Sequence, residues 1–476
     1  MEIVAFIAFL VLFVLIGVLS TRRHNTAQDI DYLMAGREVS PLLTALSAAA
    51  TKYSGYMFIA YMGYIYQYGL SAIWLACGFF FGDMVSYLFV HQKLREHSEK
   101  TNAMSYADLI SRWHSKDSGS GDYKALKITI GIITLLFLTT YAAAQFNAGG
   151  KALQVLFGWH QSVGLVIGAG LILSYCLTGG LRASIWTDAA QSIVMLIALV
   201  LLFGAAVMNI GGLGAFFDAL NQVSSSYMSL GVDRFGSLNA TILFAIGWLF
   251  NGLGVTGQPQ VMVRFMALDK SEHVRKTGLI YFAFSGTFLA LVMLVGLATR
   301  LFVDNSANFD AELAMPMLAT QLLPAFAFGI VIGGVFAAVI STTDSQILSC
   351  SAVISSDFNI NKGKHTKAYI TLIVTIVALA IALFASASVF TLVILAWSAL
   401  ACTIGPLVIV QALGYRPSQP LAFVMMSVGF ITAITWRQLG LNTEIYEAMP
   451  GMIAPIALFF IVNAIKPQPG GVKFKE

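Results

Sequence analysis

Charge is what this sequence has least of. Only 11% of its 476 residues are Asp, Glu, Lys or Arg, against about 25% in soluble domains. Beside 58% hydrophobic residues, that scarcity excludes a water-soluble fold. Apolar runs of 18 or more residues recur along the whole length, each long enough to cross about 30 Å of hydrocarbon. Cysteine is scarce as well. Cys77, Cys176, Cys350 and Cys402 all fall in apolar segments, with neither metal-ligand spacing nor a disulfide framework, so buried thiols are expected. No nucleotide loop, zinc motif or nucleophile elbow is present. The longest cytoplasmic stretches, 92–125 and 263–276, are too short for a catalytic domain, so no enzyme and no cofactor are expected. The net charge of +4 is sorted by loop rather than gathered into a patch, which leaves no surface for nucleic acid.

What is there is an all-α integral membrane chain. Residues 3–20 are apolar, no basic segment precedes them, and Thr21-Arg22-Arg23-His24 follows. This reads as an uncleaved first span with its N-terminus outside. Thirteen spans are expected, at 3–20, 41–68, 70–91, 126–149, 161–179, 186–210, 239–262, 277–301, 324–354, 369–388, 390–412, 419–437 and 447–465. The inner loops then hold Arg22, Arg23, Lys93, Arg95, Lys100, Arg112, Lys116, Lys124, Arg264, Lys270, Arg275, Lys276, Lys362, Lys364, Lys367 and Arg416, and the inner tail Lys466, Lys473 and Lys475. The outer loops hold only Lys151, Arg234, Arg300 and Arg437. That asymmetry supports both the span count and a cytoplasmic C-terminus. The 115–123 stretch reads as a flexible loop. Asp304, Asp310 and Glu312 fall in an outer loop and are expected to be solvated.

Two spans look interrupted. The second carries Ala48-Ala49-Ala50-Thr51-Lys52-Tyr53-Ser54-Gly55 and the seventh Asn251-Gly252-Leu253-Gly254-Val255-Thr256-Gly257-Gln258-Pro259. Paired interrupted segments in corresponding positions of two halves point to a transporter binding site; close helix packing through small residues is the alternative. The whole chain, 1–476, reads as one transmembrane unit. It comprises an extra N-terminal helix (3–20), a first repeat (41–210), a second repeat (239–412) and two C-terminal helices (419–465). Lys52 is the only charge between Pro41 and Gly69. An ionisable residue at that depth costs about 2.5–3.5 kcal/mol or more and marks a functional site by default. Asp83, in the third span, is a second such residue, open to a proton relay or to interior hydrogen bonding.

The motifs DYLMAGR (31–37), ALSAAATKYSG (45–55), YADLISRW (106–113), TYAAAQ (140–145), GGLRASIWTDAAQ (179–191), GQPQVMVRFMALD (257–269) and AAVISTTDSQILSCSAVISSD (337–357) together resemble the sodium/solute symporter family, and within it the bacterial proline symporters. The resemblance implies a LeuT-like 5+5 inverted-repeat core with broken helices at spans 2 and 7. It further implies alternating access driven by an ion gradient, in a bacterial inner membrane. It places a sodium ion among the backbone carbonyls of Ala50, Tyr53 and Ala338 and the hydroxyls of Ser341 and Thr342. Such oxygen ligands suit a hard cation, although Ser341, Thr342 and Ser345 would equally serve as hydroxyls bonded to the preceding helical turn.

The sequence also departs from the family. Lys52 stands where the proline symporters carry an aspartate, and Asp344 where they carry a serine. Asp188 matches the usual acid of the WTD motif. Residues 341, 344 and 345 share one helix face. One account has the Lys52 ammonium standing in for sodium, paired with Asp344 or Asp188, so that transport is sodium-independent and either proton-coupled or uncoupled. The alternatives are ordinary Na+ coupling beside a static ion pair, a lysine that snorkels into a vestibule, or loss of transport. The resemblance puts the solute against Tyr56, Tyr141, Gln145, Asn251 and Val255. Tyr56 and Asn251 replace tryptophans and Val255 a tyrosine, so proline is not expected to be the best substrate. Amino acids, their derivatives and small organic acids remain open. A solute-binding sensor subunit is the rival from another class. With about ten residues after the last span it would need a partner for output.

Overall fold

The structure is a computed structural model that describes residues 2–20, 29–113, 123–303, 309–358, 360, 364–384 and 388–467. Arg22, Arg23, Lys116, Lys362, Lys473, Lys475, Asp304 and the 114–122 stretch therefore lie outside the described residues, as does the side chain of Cys176. The described chain is helical throughout. Its only strand-like pairing is the isolated bridge of Val39 with Leu268. Among the described residues, nine helices are long and apolar enough to cross a membrane, and three shorter apolar helices accompany them.

The interruptions have local causes. Helix α1 (Pro41–Lys52) stops because Tyr53 leaves helical geometry, at φ −91° and ψ 79°. The chain resumes through a π-helical turn over Met57–Tyr61 into α2 (Met62–Tyr68). Gly69 turns the chain at φ +61° and leads into α3 (Ile73–Ser86). The second break follows α4 (Leu238–Leu253). A 3-10 turn over Gly254–Gly257 ends at extended Gln258, and Pro259 opens α5 (Pro259–Met266). A proline disfavours helical geometry in the residue before it and suits the first position of a helix, so Gln258-Pro259 fixes where the helix restarts.

Around these half-helices pack α6 (Lys124–Phe157), α7 (Gln161–Ile210), α8 (Val274–Phe302), α9 (Ala325–Ala352) and α10 (Val389–Ala412). Helix α7 is one continuous assignment, but Gly180 within it has φ +56° and ψ −145°. The expected fifth and sixth spans therefore meet at a kink that glycine alone takes without strain. Helix α9 packs against α7, α6 and α1. Its residues 331–353 are buried without interruption. Helices α3 and α4 touch backbone to backbone: a Cβ on Gly252 would meet the Phe79 carbonyl at 2.4 Å, and one on Gly82 the Leu249 carbonyl at 1.9 Å. That contact holds Asp83 beside the second break.

Candidate functional site

Three buried polar groups meet around the first break. The first is the expected cation shell. The Ser341 hydroxyl lies 3.1 Å from the Ala50 carbonyl and 3.2 Å from that of Ala338. Thr342 donates to the Thr51 carbonyl at 3.0 Å. The end of α1 frees the carbonyls of Ala50 and Thr51, and α9 supplies the hydroxyls and the Ala338 carbonyl. Gly55, just past the break, donates its N–H to Gln145 Oε1 at 3.0 Å, which fixes the broken segment to α6.

The second group lies beside that shell and contains an unexpected cation. Arg264 is fully buried on α5 rather than solvated in an inner loop. Its Nη2 donates to Ser184 at 2.7 Å, approaches Asp188 Oδ2 at 3.3 Å and donates to Ser345. Asp188 also accepts from Ser47 at 2.7 Å. Asp344 accepts from Ser184 at 3.2 Å, so Asp188 and Asp344 gather around one guanidinium. The Thr51 and Ser345 hydroxyls, 3.0 Å apart, link this cluster to the cation shell.

The third group corrects the expected pairing of Lys52. Its ammonium does not meet Asp344 or Asp188. It lies 2.5 Å from Asp83 Oδ2, with both side chains fully enclosed, and Tyr281 donates to the same carboxylate oxygen at 2.7 Å. The rings of Tyr53, Phe79 and Tyr281 surround Nζ at 4.5, 4.9 and 4.7 Å. Burial takes the ammonium out of water, and a carboxylate with three ring faces replaces that solvation. The side chain therefore leaves α1 on the α3 side and does not occupy the cation shell. The sodium-independent reading loses the contact on which it rested, and Asp83 is explained as the partner of Lys52.

A small central pocket adjoins this ion pair. Lys52, Tyr56, Phe79, Tyr141, Asn251 and Trp397 are among its walls, and its free volume is about 30 Å³, close to the share of one water molecule in liquid. Tyr56, Tyr141 and Asn251 line this pocket, and Gln145 and Val255 are not among its walls. Gln145 accepts the Gly55 N–H through Oε1, its Nε2 has no partner among the described residues, and Val255 is buried in the 3-10 turn.

Beside the pocket, the Phe390 ring sits 5.5 Å from Tyr56 and stacks on Tyr64 at 5.5 Å. Glu312 accepts from the N–H groups of Phe390 and Val389 at 2.9 and 3.3 Å and from Lys151 at 2.7 Å. It is thus a buried clamp and not the solvated loop residue expected. Arg95 is buried too, donating to the carbonyls of Leu268 at 2.5 Å and Asp269 at 2.9 Å. The Asp269 N–H donates to the Val39 carbonyl at 2.9 Å, and the Val39 N–H to that of Ala267 at 3.2 Å. The signal for Arg264 was present in the composition of the spans: Asp83, Asp188 and Asp344 outnumber Lys52, and buried acids require partners.

Comparison with known proteins agrees with this geometry. The chain is 31% identical over 470 residues to the sodium/proline symporter of Escherichia coli K12, covering 94% of this chain and 90% of the relative. It is 30% identical to the high-affinity proline transporter PutP of Bacillus subtilis, covering 96% of each chain. The solved structure of a Na+-coupled sialic acid symporter in a substrate-bound outward-open state superposes with a TM-score of 0.81 over 98% of both chains, at 17% identity. The closed form of the nucleobase-cation symporter Mhp1 superposes with a TM-score of 0.58. These likenesses establish the LeuT-like fold. The model of the sodium:solute symporter family matches residues 32–429; this transmembrane chain belongs to that family of secondary transporters.

Proposed function

We propose that this protein is a Na+-coupled symporter of a small organic solute, amino acid-like or an organic acid, in the inner membrane of a bacterium. The observation that carries the reading is the position of the Ser341 hydroxyl. It lies 3.1 and 3.2 Å from two carbonyls of the expected shell, while Lys52 is held elsewhere by Asp83. The ion would sit among the carbonyls of Ala50, Tyr53 and Ala338 and the hydroxyls of Ser341 and Thr342, at the junction of two rigid bodies. Such a bridge would add to the hydrogen bonds that join the broken helix to α9. The names of the relatives, sodium/proline symporter and proline transporter, support the coupling ion and a small amino-acid-like solute.

The solute would contact Tyr56, Tyr141 and Asn251. Because that pocket carries an ammonium and an amide beside its aromatic walls, proline is not its best ligand. The repeats are assigned to 41–210 and 239–412, in a thirteen-span chain with its N-terminus outside and its C-terminus in the cytoplasm. The test is a thermal-shift screen of the purified protein against amino acids and organic acids, in sodium chloride and in potassium chloride at equal ionic strength. Ligands of the folded state raise apparent stability. A solute that stabilises only in sodium supports the reading. A solute that stabilises equally in both salts overturns Na+ coupling, and a best response to proline overturns the specificity.

A further inference from the structure

The largest cavity described lies outside the transport pathway. A groove of about 450 Å³ runs between α3 and α8, walled by Ile73, Phe80, Phe217, Gly286, Met293 and Leu297 among others. Phe217 comes from the amphipathic helix Leu213–Val223, which crosses one end. No lining side chain carries an oxygen or a nitrogen. Ordered water needs two to four polar partners and finds none here. A void of this size would forfeit the dispersion contacts of every wall atom.

The groove continues the lipid-facing surface of the same helix. Phe81 is both a wall residue and 48% exposed, and Leu88 and Phe89 beyond it are 71% and 61% exposed. From Gly286 to Leu297 the groove follows α8 for about 16 Å at 1.5 Å per residue, half of a hydrocarbon core of about 30 Å. We propose that this groove is a binding site for one acyl chain of a membrane phospholipid, in the leaflet at the Leu70 end of α3. On the orientation proposed above that is the outer leaflet.

Ala76 and Leu289 line both this groove and the central pocket. The partition between bound lipid and transported solute is therefore one side chain thick, and the acyl chain forms the back of the pocket wall. Glycine 286 gives a direct handle. A Cβ there meets nothing closer than the Phe80 ring at 3.7 Å, so Gly286→Leu projects into the groove without backbone strain.

The full-length protein would be reconstituted in nanodiscs of bacterial polar lipid, extracted into mild detergent and examined by native mass spectrometry. Wild type is expected to retain one phospholipid per chain, and Gly286→Leu to lose at least tenfold of that population. Gly204→Leu, where a Cβ meets nothing within 4 Å and no wall residue is altered, is expected to retain it. Equal retention by the two variants, or no retained lipid in wild type, overturns the site; the latter is also what a partner helix filling the groove would give. A phospholipid with a photoactivatable acyl chain provides a reading on wild type alone. Cross-links are expected to concentrate in peptides covering 73–81 and 286–297, and an even spread over all lipid-facing helices overturns the proposal.

Discussion

Replacing Asp83 by Asn leaves the Lys52 ammonium enclosed among three rings with no counter-charge. At 2.5 Å and an effective dielectric of about 20, the lost attraction is about 7 kcal/mol before desolvation and relaxation are counted. Breaking buried pairs in other proteins costs about 3–5 kcal/mol, because the partner left behind is uncompensated. Asp83→Asn is therefore expected to lower apparent thermal stability markedly, and Lys52→Met to do the same. The double variant Lys52→Met/Asp83→Asn removes both charges and is expected to recover most of the loss, with a coupling of at least about 2 kcal/mol in the mutant cycle. The assay is thermal unfolding in detergent followed by cysteine-reactive fluorescence, run with and without sodium. The double variant should keep the sodium-induced stabilisation, since neither group belongs to the cation shell. Additive losses would refute the pair, and so would coupling of Lys52 to Asp188 or Asp344 in place of Asp83. Loss of the sodium response in the double variant would restore the lysine to the ion site.

Three further outcomes are expected. Ser341→Ala removes one oxygen from the shell and should weaken the sodium-induced thermal shift by about tenfold in sodium concentration, about 1.4 kcal/mol; an unchanged sodium midpoint would place the ion elsewhere. Arg264→Met leaves Asp188 and Asp344 facing each other without their shared guanidinium, and should destabilise by about 3–5 kcal/mol. Adding Asp344→Asn should restore part of that stability, and no restoration would separate the two acids. Glu312→Ala frees two backbone N–H groups at the start of α10 and leaves the Lys151 ammonium with Asp310 alone. A membrane-impermeant maleimide should then label Tyr56→Cys from outside several-fold faster, and an unchanged rate would show that Glu312 does not hold Phe390 over the pocket.

The fold was legible because its determinants are local. Long apolar runs set the spans, and Gln258-Pro259 and the small residues around Ala50 set the breaks. The Gly180 kink fell within the expected gap between two spans, although the helical hydrogen bonding runs through it. The site was legible in part. Tyr56 and Asn251 lie on the broken segments, and Ser341 of α9 and Asp188 of α7 each bond to a residue of α1. The partner of Lys52 was not legible, since lateral packing of α3 against α1 and α8 decides it and no linear spacing encodes that. Arg264 and Arg95 were assigned to inner loops by the excess of basic residues there. That rule counts basic residues near span ends and is blind to whether their heads fold inward. Gln145 was assigned to the solute, and the contact that spacing did not show is the Gly55 N–H of the unwound segment, which takes its Oε1.

The Lys52–Asp83 pair also bears on how the chain enters the bilayer. As the second span emerges, it carries an unpartnered ammonium whose insertion is unfavourable by about 2.5–3.5 kcal/mol. The neutralising carboxylate arrives on the next span, after the tight turn at Gly69. Lateral release of the second span alone is therefore disfavoured, and the two spans should leave the translocon as a hairpin, with the ion pair formed at the moment of integration. Biogenesis, before any ion or solute is bound, would then be the first process to read this charge.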